Sequence, residues 1–401
     1  MNLIPSCWHF SQVGATGEVM SGRQRSPHLI SGVSTPYLRV ANVLDGRINY
    51  DDVNAMPFTS SEVGKYKLVP GDILLNEGQS IDLVGRAAMF EDAEGTYCFQ
   101  NTLIRYRAGK HVDPDFALQL FRFSQAEGVF SRIALRTSSI AHLGVSRFSE
   151  LELRFPPLAE QRKIAEILRT WDDAINQTLH LHRLAETQRA ELAERLLVSS
   201  HGARRRLLEL TRPLKTRNPG SKLGRDRVMG VSNRSGLVPM REQTIAADIA
   251  RYQILPPRAF AYNPMRINVG SIAMSRLDSS VLVSPDYVLF ECIEDELRPE
   301  YFDHVLKTRW WLHHVNAGAS GSVRTRTYYD DLAAISINAP PLDEQDGVAR
   351  AFDELEREID LLQRKADLLR TQKRGVMQKL LTGQVRVNVA ADIEPGGHDD
   401  E

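Results

Sequence analysis

Guanidinium, amide and hydroxyl side chains gather in two acid-free stretches of this chain. Ser320-Gly321-Ser322-Val323-Arg324-Thr325-Arg326-Thr327-Tyr328-Tyr329 holds no carboxylate before Asp330. The stretch 132–147, with Arg136, Thr137, Ser138, Ser139 and His142, holds none at all. Presented by a rigid scaffold, such groups suit the edges of nucleic-acid bases: arginine or lysine for guanine, asparagine or glutamine for adenine, hydroxyl and small side chains beside thymine. Both stretches are expected to face DNA rather than to be plain solvated loops. Asn263, Arg266 and Asn268 form a second candidate cluster, although an Asn-Pro turn also has a purely structural use. Arg39 and Asn42 are as readily satisfied inside their own domain. Ten Lys or Arg lie between Arg204 and Arg234, Lys215 and Lys222 among them, against only Glu209 and Asp226. A patch this dense suits a phosphate backbone, while a solvated linker explains Arg204 to Arg206 equally well.

Bond-making chemistry is harder to find. No Gly-x4-Gly-Lys-Ser/Thr loop occurs, which removes the usual cradle for nucleotide phosphates. Asn263-Pro264-Met265 has a superficial likeness to the Asn-Pro-Pro-aromatic loop of adenine methyltransferases, but lacks the second proline and the aromatic that would hold a flipped base. Asp286 and Glu291 lack the lysine a metal-dependent nuclease would place two residues on, and a core strand explains them better. His180, His182, His313 and His314 have no Cys or carboxylate partners at metal-ligand spacing, so no metal site is expected.

The elements that must carry the candidate residues are announced by a repeat. Pro156 to Gln161 reads PPLAEQ, and Pro340 to Gln345 reads PPLDEQ, an offset of 184. Each copy opens a helical stretch of about forty residues. In the second, Val348, Phe352, Leu355, Ile359, Leu362, Ala366, Leu369, Lys373, Val376 and Leu380 recur at alternating steps of four and three, a coiled-coil heptad. The first copy matches it position for position with Ile164, Leu168, Trp171, Ile175, Thr178, His182, Ala185, Arg189, Leu192 and Leu196. His182 on that seam suggests an interhelical polar contact that fixes register. The second helix begins acidic and ends basic, which complements its dipole. At 1.5 Å per residue, about 38 residues rise roughly 57 Å, a length that reads as a ruler. The paired prolines are expected to act as hinges.

Two long helices and two regions of short strands, each with a helix before its basic tail, give an α+β chain. Five segments are predicted: globular regions at 1–155 and 204–339, spacer helices at 156–203 and 340–385, and a disordered tail at 386–401. A chain of 401 residues is too long for one core. Its net charge is −1, no apolar run is long enough to span a bilayer, and no signal peptide is evident. Cys7, Cys98 and Cys292 are few, odd in number and far apart, which argues against a disulfide framework and for a cytoplasmic protein.

With the twin PPL-x-EQ helix starts, the closing Gln378-Lys379-Leu380-Leu381-Thr382-Gly383, the Tyr37-Leu38-Arg39-x-x-Asn42 strand, the Pro70-Gly71-Asp72-Ile73-Leu74 segment and Tyr262-Asn263-Pro264-Met265-Arg266-x-Asn268-x-Gly270, the chain resembles the specificity subunit of type I restriction-modification systems over essentially its whole length. The resemblance implies two target-recognition domains in a pseudo-twofold arrangement, separated by two long antiparallel helices forming a coiled-coil spacer. Each domain would read one half of an asymmetric bipartite site in double-stranded DNA. Two modification subunits and the restriction/translocase subunits would be the partners, and the assembly would be an adenine-N6 methyltransferase and ATP-dependent endonuclease. S-adenosylmethionine, ATP and Mg would then sit on those partners, and no cofactor in this chain. The first helix departs from the pattern: Leu196-Leu197-Val198-Ser199-Ser200-His201-Gly202 lacks the Leu-Thr-Gly ending of the second. The competing reading is a stand-alone DNA-binding regulator whose coiled coil merely dimerises it.

Overall fold

A computed structural model describes residues 5–25, 31–137, 139–199, 203–233, 235–317 and 326–388. The chain divides into two compact units: residues 1–177 with 366–401, and residues 178–365. These do not coincide with the five predicted segments. Each unit joins one globular head to one part of each long helix, Leu158–Ala193 and Leu342–Leu381. The physical reason is a shared core. In the first unit Ile164 and Leu168 pack with Met377, Leu380 and Leu381 in the cluster that holds the head residues Phe116, Phe121 and Phe148. In the second, Ala193, Leu197, Ala349 and Phe352 join Phe290, Phe302 and Trp311. All twenty heptad-seam positions are buried or half-buried, none exposed. The start of one helix thus lies against the end of the other within each unit.

Both heads are built from the same strands in the same order. In the first, Gly17–Ser21, Leu103–Ala108, Ile73–Asn76 and Ala87–Met89 form an antiparallel four-stranded sheet. Its counterpart in the second is Thr211–Leu214, Val288–Cys292, Phe260–Tyr262 and Ile272–Met274. Each head adds a sheet containing a parallel pair, Val33–Leu38 with Cys98–Phe99 in one and Val228–Ser232 with Val281–Val283 in the other. Each also has a two-stranded ribbon entering the spacer, His9–Gln12 with Glu152–Phe155 and Ala203–Arg206 with Ser336–Ala339. The single helix expected before the basic tail of each head is a pair, Pro114–Ala126 with Val129–Ile133 and Pro299–Val305 with Arg309–Ala317.

The prolines expected as hinges are instead part of a clamp. Gln161 is buried; its Nε2 donates to Pro156 O (2.9 Å) and His111 O (3.1 Å), and its Oε1 accepts from Asp113 N (2.9 Å). Gln345 repeats this with Pro340 O (2.8 Å), Glu296 O (3.1 Å) and Arg298 N (2.8 Å). One amide therefore ties the helix entry, the preceding loop and the N-terminus of the head helix together. Gln345→Ala would strand these backbone groups away from water, and an unmet buried polar group typically costs about 1–3 kcal/mol. The expected result is about 2 kcal/mol lost from the second unit, read as faster amide exchange in residues 203–317 than in residues 5–137, with Gln161→Ala producing the reverse.

A polar junction stands about three turns further along each helix pair. In the first unit Lys373 Nζ lies 2.6 Å from Asp172 Oδ2 and 3.0 Å from Gln119 Oε1, and Arg122 Nη1 reaches Asp172 at 3.1 Å. In the second, Arg189 and Lys307 meet Glu356 at 2.8 Å and 3.0 Å, and the buried His304 Nε2 lies 3.2 Å from Asp353 Oδ1. Asp172 and Glu356 are 184 residues apart, as are Arg189 and Lys373, so the spacer's repeat continues into its ion pairs. The register contact expected of His182 falls elsewhere: its partner is Glu186, 3.4 Å away on its own helix, while Arg189 to Glu356 and Lys373 to Asp172 cross between the helices.

The two helix endings differ as their sequences do. Leu342–Leu381 stops at Gly383, whose φ of 74° suits glycine, and Thr382 Oγ1 donates back to Gln378 O. The first helix widens into a π turn over Glu194–Val198, yet Leu197 is still buried in the core of the second head. The tail predicted from residue 386 begins on ordered residues, and 389–401 lie outside the described residues. Arg386 holds the buried carboxylate of Glu160 through two bonds (2.6 and 2.8 Å), Trp8 Nε1 donates to the same group (3.1 Å), and Val387 packs on the core.

Candidate nucleic-acid interface

In the second head the loop after strand Phe260–Tyr262 carries Asn263, Arg266 and Asn268. Asn263 Oδ1 accepts from Met265 N (2.9 Å), and Asn263 O accepts from Arg266 N (3.0 Å). Pro264 and Ile267 are buried, while Met265, Arg266, Asn268 and Val269 are exposed. The structural use of an Asn-Pro turn is therefore real at Asn263, whose carbonyl is committed to the turn. Arg266 and Asn268 are what that turn presents. Gly270 closes the loop at a φ of 85°, where a side chain would be strained.

Arg326 is brought beside this loop, because Thr327 N donates to Pro264 O (3.0 Å) and Tyr262 OH donates to Thr327 O (3.2 Å). Arg326 and Tyr328 are exposed. Ser320, Ser322 and Arg324 lie outside the described residues. Lys215 follows strand Thr211–Leu214, and the register places Leu214 and Ala261 on either side of Leu289. Lys215 thus leaves the sheet at the end from which Asn263 leaves it. Lys222 is exposed too, on the segment before Val228–Ser232, in the other sheet.

The basic patch separates into two kinds of residue. Arg205 pairs with Glu296 and Glu209, and Arg212 with Glu291; Arg225 donates to Ala246 O, and Arg227 to Ser280 O. These arginines hold loops together, a use the sequence count could not reveal. Lys215, Lys222, Arg266 and Arg326 make no ion pair among the described residues, and all four are exposed.

The first head has the equivalent place. Leu135–Arg136 pairs with Ala141–His142, which pairs with Gly78–Gln79, directly after strand Ile73–Asn76. Thr137 N donates to Ile140 O (2.9 Å), closing a tight turn. Arg136, Thr137 and Ser139 are exposed on it, and Ser138 lies outside the described residues. His142 Nδ1 is 3.2 Å from Glu77 Oε2. Sequence reasoning did not single out Glu77-Gly78-Gln79, whose only signal is its position after the Pro70–Leu74 segment. Arg39 and Asn42 belong to the structure instead: Asn42 is buried, donates to Asn49 O and Asp52 O, and accepts from Arg39 N, while Arg39 pairs with Asp52.

Among the described residues no group of three His, Cys, Asp or Glu could hold a metal ion, and no helix is long and apolar enough to cross a membrane. Glu291, weighed above as a nuclease carboxylate, lies on Val288–Cys292 and pairs with Arg212.

Residues 8–186 match the model of the type I restriction modification DNA specificity domain. The chain is 21% identical to the type I restriction enzyme MjaX specificity subunit of Methanocaldococcus jannaschii, over 96% of this chain and 95% of that one. It is 25% identical to the EcoKI specificity subunit of Escherichia coli K12 over 37% of this chain and 32% of that one. In fold it is similar to the type I restriction-modification S subunit of M. genitalium, with a TM-score of 0.57, 15% identity and coverage of 95% and 97% of the two chains. A chain solved in work on complex assembly and conformational transition of the type I system gives 0.57 at 14% identity, over 96% of this chain and 100% of that one.

Proposed function

This chain belongs to the specificity-subunit family of type I restriction-modification systems, and from that premise we propose that its two heads read the two halves of an asymmetric, bipartite site in double-stranded DNA. The carrying observation is that two heads of one topology present different side chains at one place, after the strand Ile73–Asn76 in the first and Phe260–Tyr262 in the second. Arg136, Ser139 and His142 occupy it in one head, and Arg266, Asn268 and Arg326 in the other, with Asn263 shaping the turn that presents them. A common scaffold with unlike reading groups produces unlike half-sites, because each arginine or amide selects its own base edge. Lys215 and Lys222, exposed and without an ion pair among the described residues, supply affinity for phosphate without sequence preference.

The long helices carry the spacing and the docking of partners: two modification subunits, and with them the restriction/translocase subunits. Methyl transfer to adenine N6 and cleavage belong to those partners, which bring S-adenosylmethionine, ATP and Mg. This chain contributes recognition and no catalytic group. Profiling methylated bases in cells that express the chain with its modification partner tests the reading. A split motif with an adenine methylated in each half is expected, and a continuous motif or no new methylation would refute it.

A further inference from the structure

Four large apolar side chains left in water, Met265, Val269, Leu312 and Tyr328, stand together beside the candidate interface of the second head. Met265 and Val269 are 42% and 53% exposed, and they flank Arg266 and Asn268 on one loop. Tyr328, 58% exposed, follows the Thr327 that bonds to that loop. Leu312 adjoins it from helix Arg309–Ala317, its Cδ2 3.9 Å from where a Cβ on Gly270 would stand. The loop is held in shape by buried Pro264 and Ile267 and by the bond from Ser271 N to Arg266 O (3.1 Å). It offers methyl and thioether groups in fixed alternation with a guanidinium and an amide. The first head repeats the association with other residues: Leu135 and Ile140, 61% and 45% exposed, flank Arg136 and adjoin His142.

Exposed apolar groups in such a cluster mark a surface that is covered in use. Phosphates call for cations and give methionine or valine nothing to bury against. On the base edges of the major groove, the apolar feature is the C5 methyl of thymine. We propose that Met265 and Val269 select thymine in the half-site read by the second head, by burying its methyl group beside the bases contacted by Arg266 and Asn268. This rests on the DNA-recognition reading above and names one base it reads.

The test begins by enriching the bound sequence from a random double-stranded library with the full chain. Each thymine of the motif is then replaced by 2′-deoxyuridine, which removes only the methyl. Burial of one such group is worth about a fourfold change in affinity. Expected is a roughly fourfold loss at one or more thymines of a single half-site, abolished in Met265→Ala or Val269→Ala, which bind the uracil DNA as the unsubstituted protein does. An enriched motif whose thymines all tolerate deoxyuridine overturns the proposal and leaves the recognition reading intact. So does a methyl effect that both variants retain. Apolar side chains wedged between base steps would give the first of these results together with bent DNA. Failure to enrich any motif would sink the recognition reading and this inference with it.

Discussion

Asp172→Ala destabilises the first unit by about 3 kcal/mol, seen as faster amide exchange across residues 5–137 with residues 203–317 as the internal control. Lys373 is only 4% exposed, and Asp172 is the carboxylate closest to it. Removing one partner of a buried pair leaves an uncompensated charge, at a typical cost of about 3–5 kcal/mol. The low end applies because Asp172 keeps a quarter of its side-chain surface and Gln119 Oε1 still accepts from Lys373. Replacing both, Asp172→Leu with Lys373→Met, should recover most of the loss, since no charge is then stranded. A double variant no better than the single one would show that packing rather than charge sets the cost.

The same pair has a pH signature. Burial works to raise the Asp172 carboxyl, but Arg122 and Lys373 beside it hold it below its ordinary value. For a carboxylate depressed in the folded state, the stabilisation is complete above its unfolded value of about 3.9 and is lost as pH falls through the lower folded one. The variant should therefore lose less stability than the parent between pH 4 and pH 2. Equal slopes would remove Asp172 from the account.

Arg266→Ala should relax sequence preference at one position of one half-site by about 1–3 kcal/mol, or roughly 5- to 150-fold, with little change at the other half. Lys215→Ala should instead weaken binding to all sequences and reduce the slope of log affinity against log salt by about 0.9. The contrast between the two is the informative result. A uniform loss for Arg266→Ala would reassign that residue to the phosphate backbone.

The spacer was the most legible part of the sequence because its signal is local. Heptad steps recur from turn to turn of a single helix and the doubled PPL-x-EQ marks where each helix starts, so both are read without knowing the partner, and every seam position found cover. The clamp beneath that motif was not legible. Gln161 reaches backbone atoms 48 and 50 residues away in sequence, and a main-chain partner leaves no trace in residue identity. The basic patch was legible only as a count. Arg205, Arg212, Arg225 and Arg227 are consumed by acids and carbonyls that folding brings to them, whereas Lys215 and Lys222 are not. Arg266 was visible as a candidate, but its release from pairing depends on a turn that points it outward. His182 failed for the opposite reason, because a glutamate four residues on competed successfully with the other helix.

Because Gln161 and Gln345 grip peptide groups of the heads rather than their side chains, this clamp recognises the path of the chain and is indifferent to its surface lettering. A head can exchange nearly every surface residue without loosening its seat, provided that a helix begins where Asp113 and Arg298 begin one. Two copies held in this way are free to drift apart in vocabulary while staying identical in grammar, which is how Arg136 and Arg266 come to stand near corresponding strands, Ile73–Asn76 and Phe260–Tyr262, in heads whose sequences barely match.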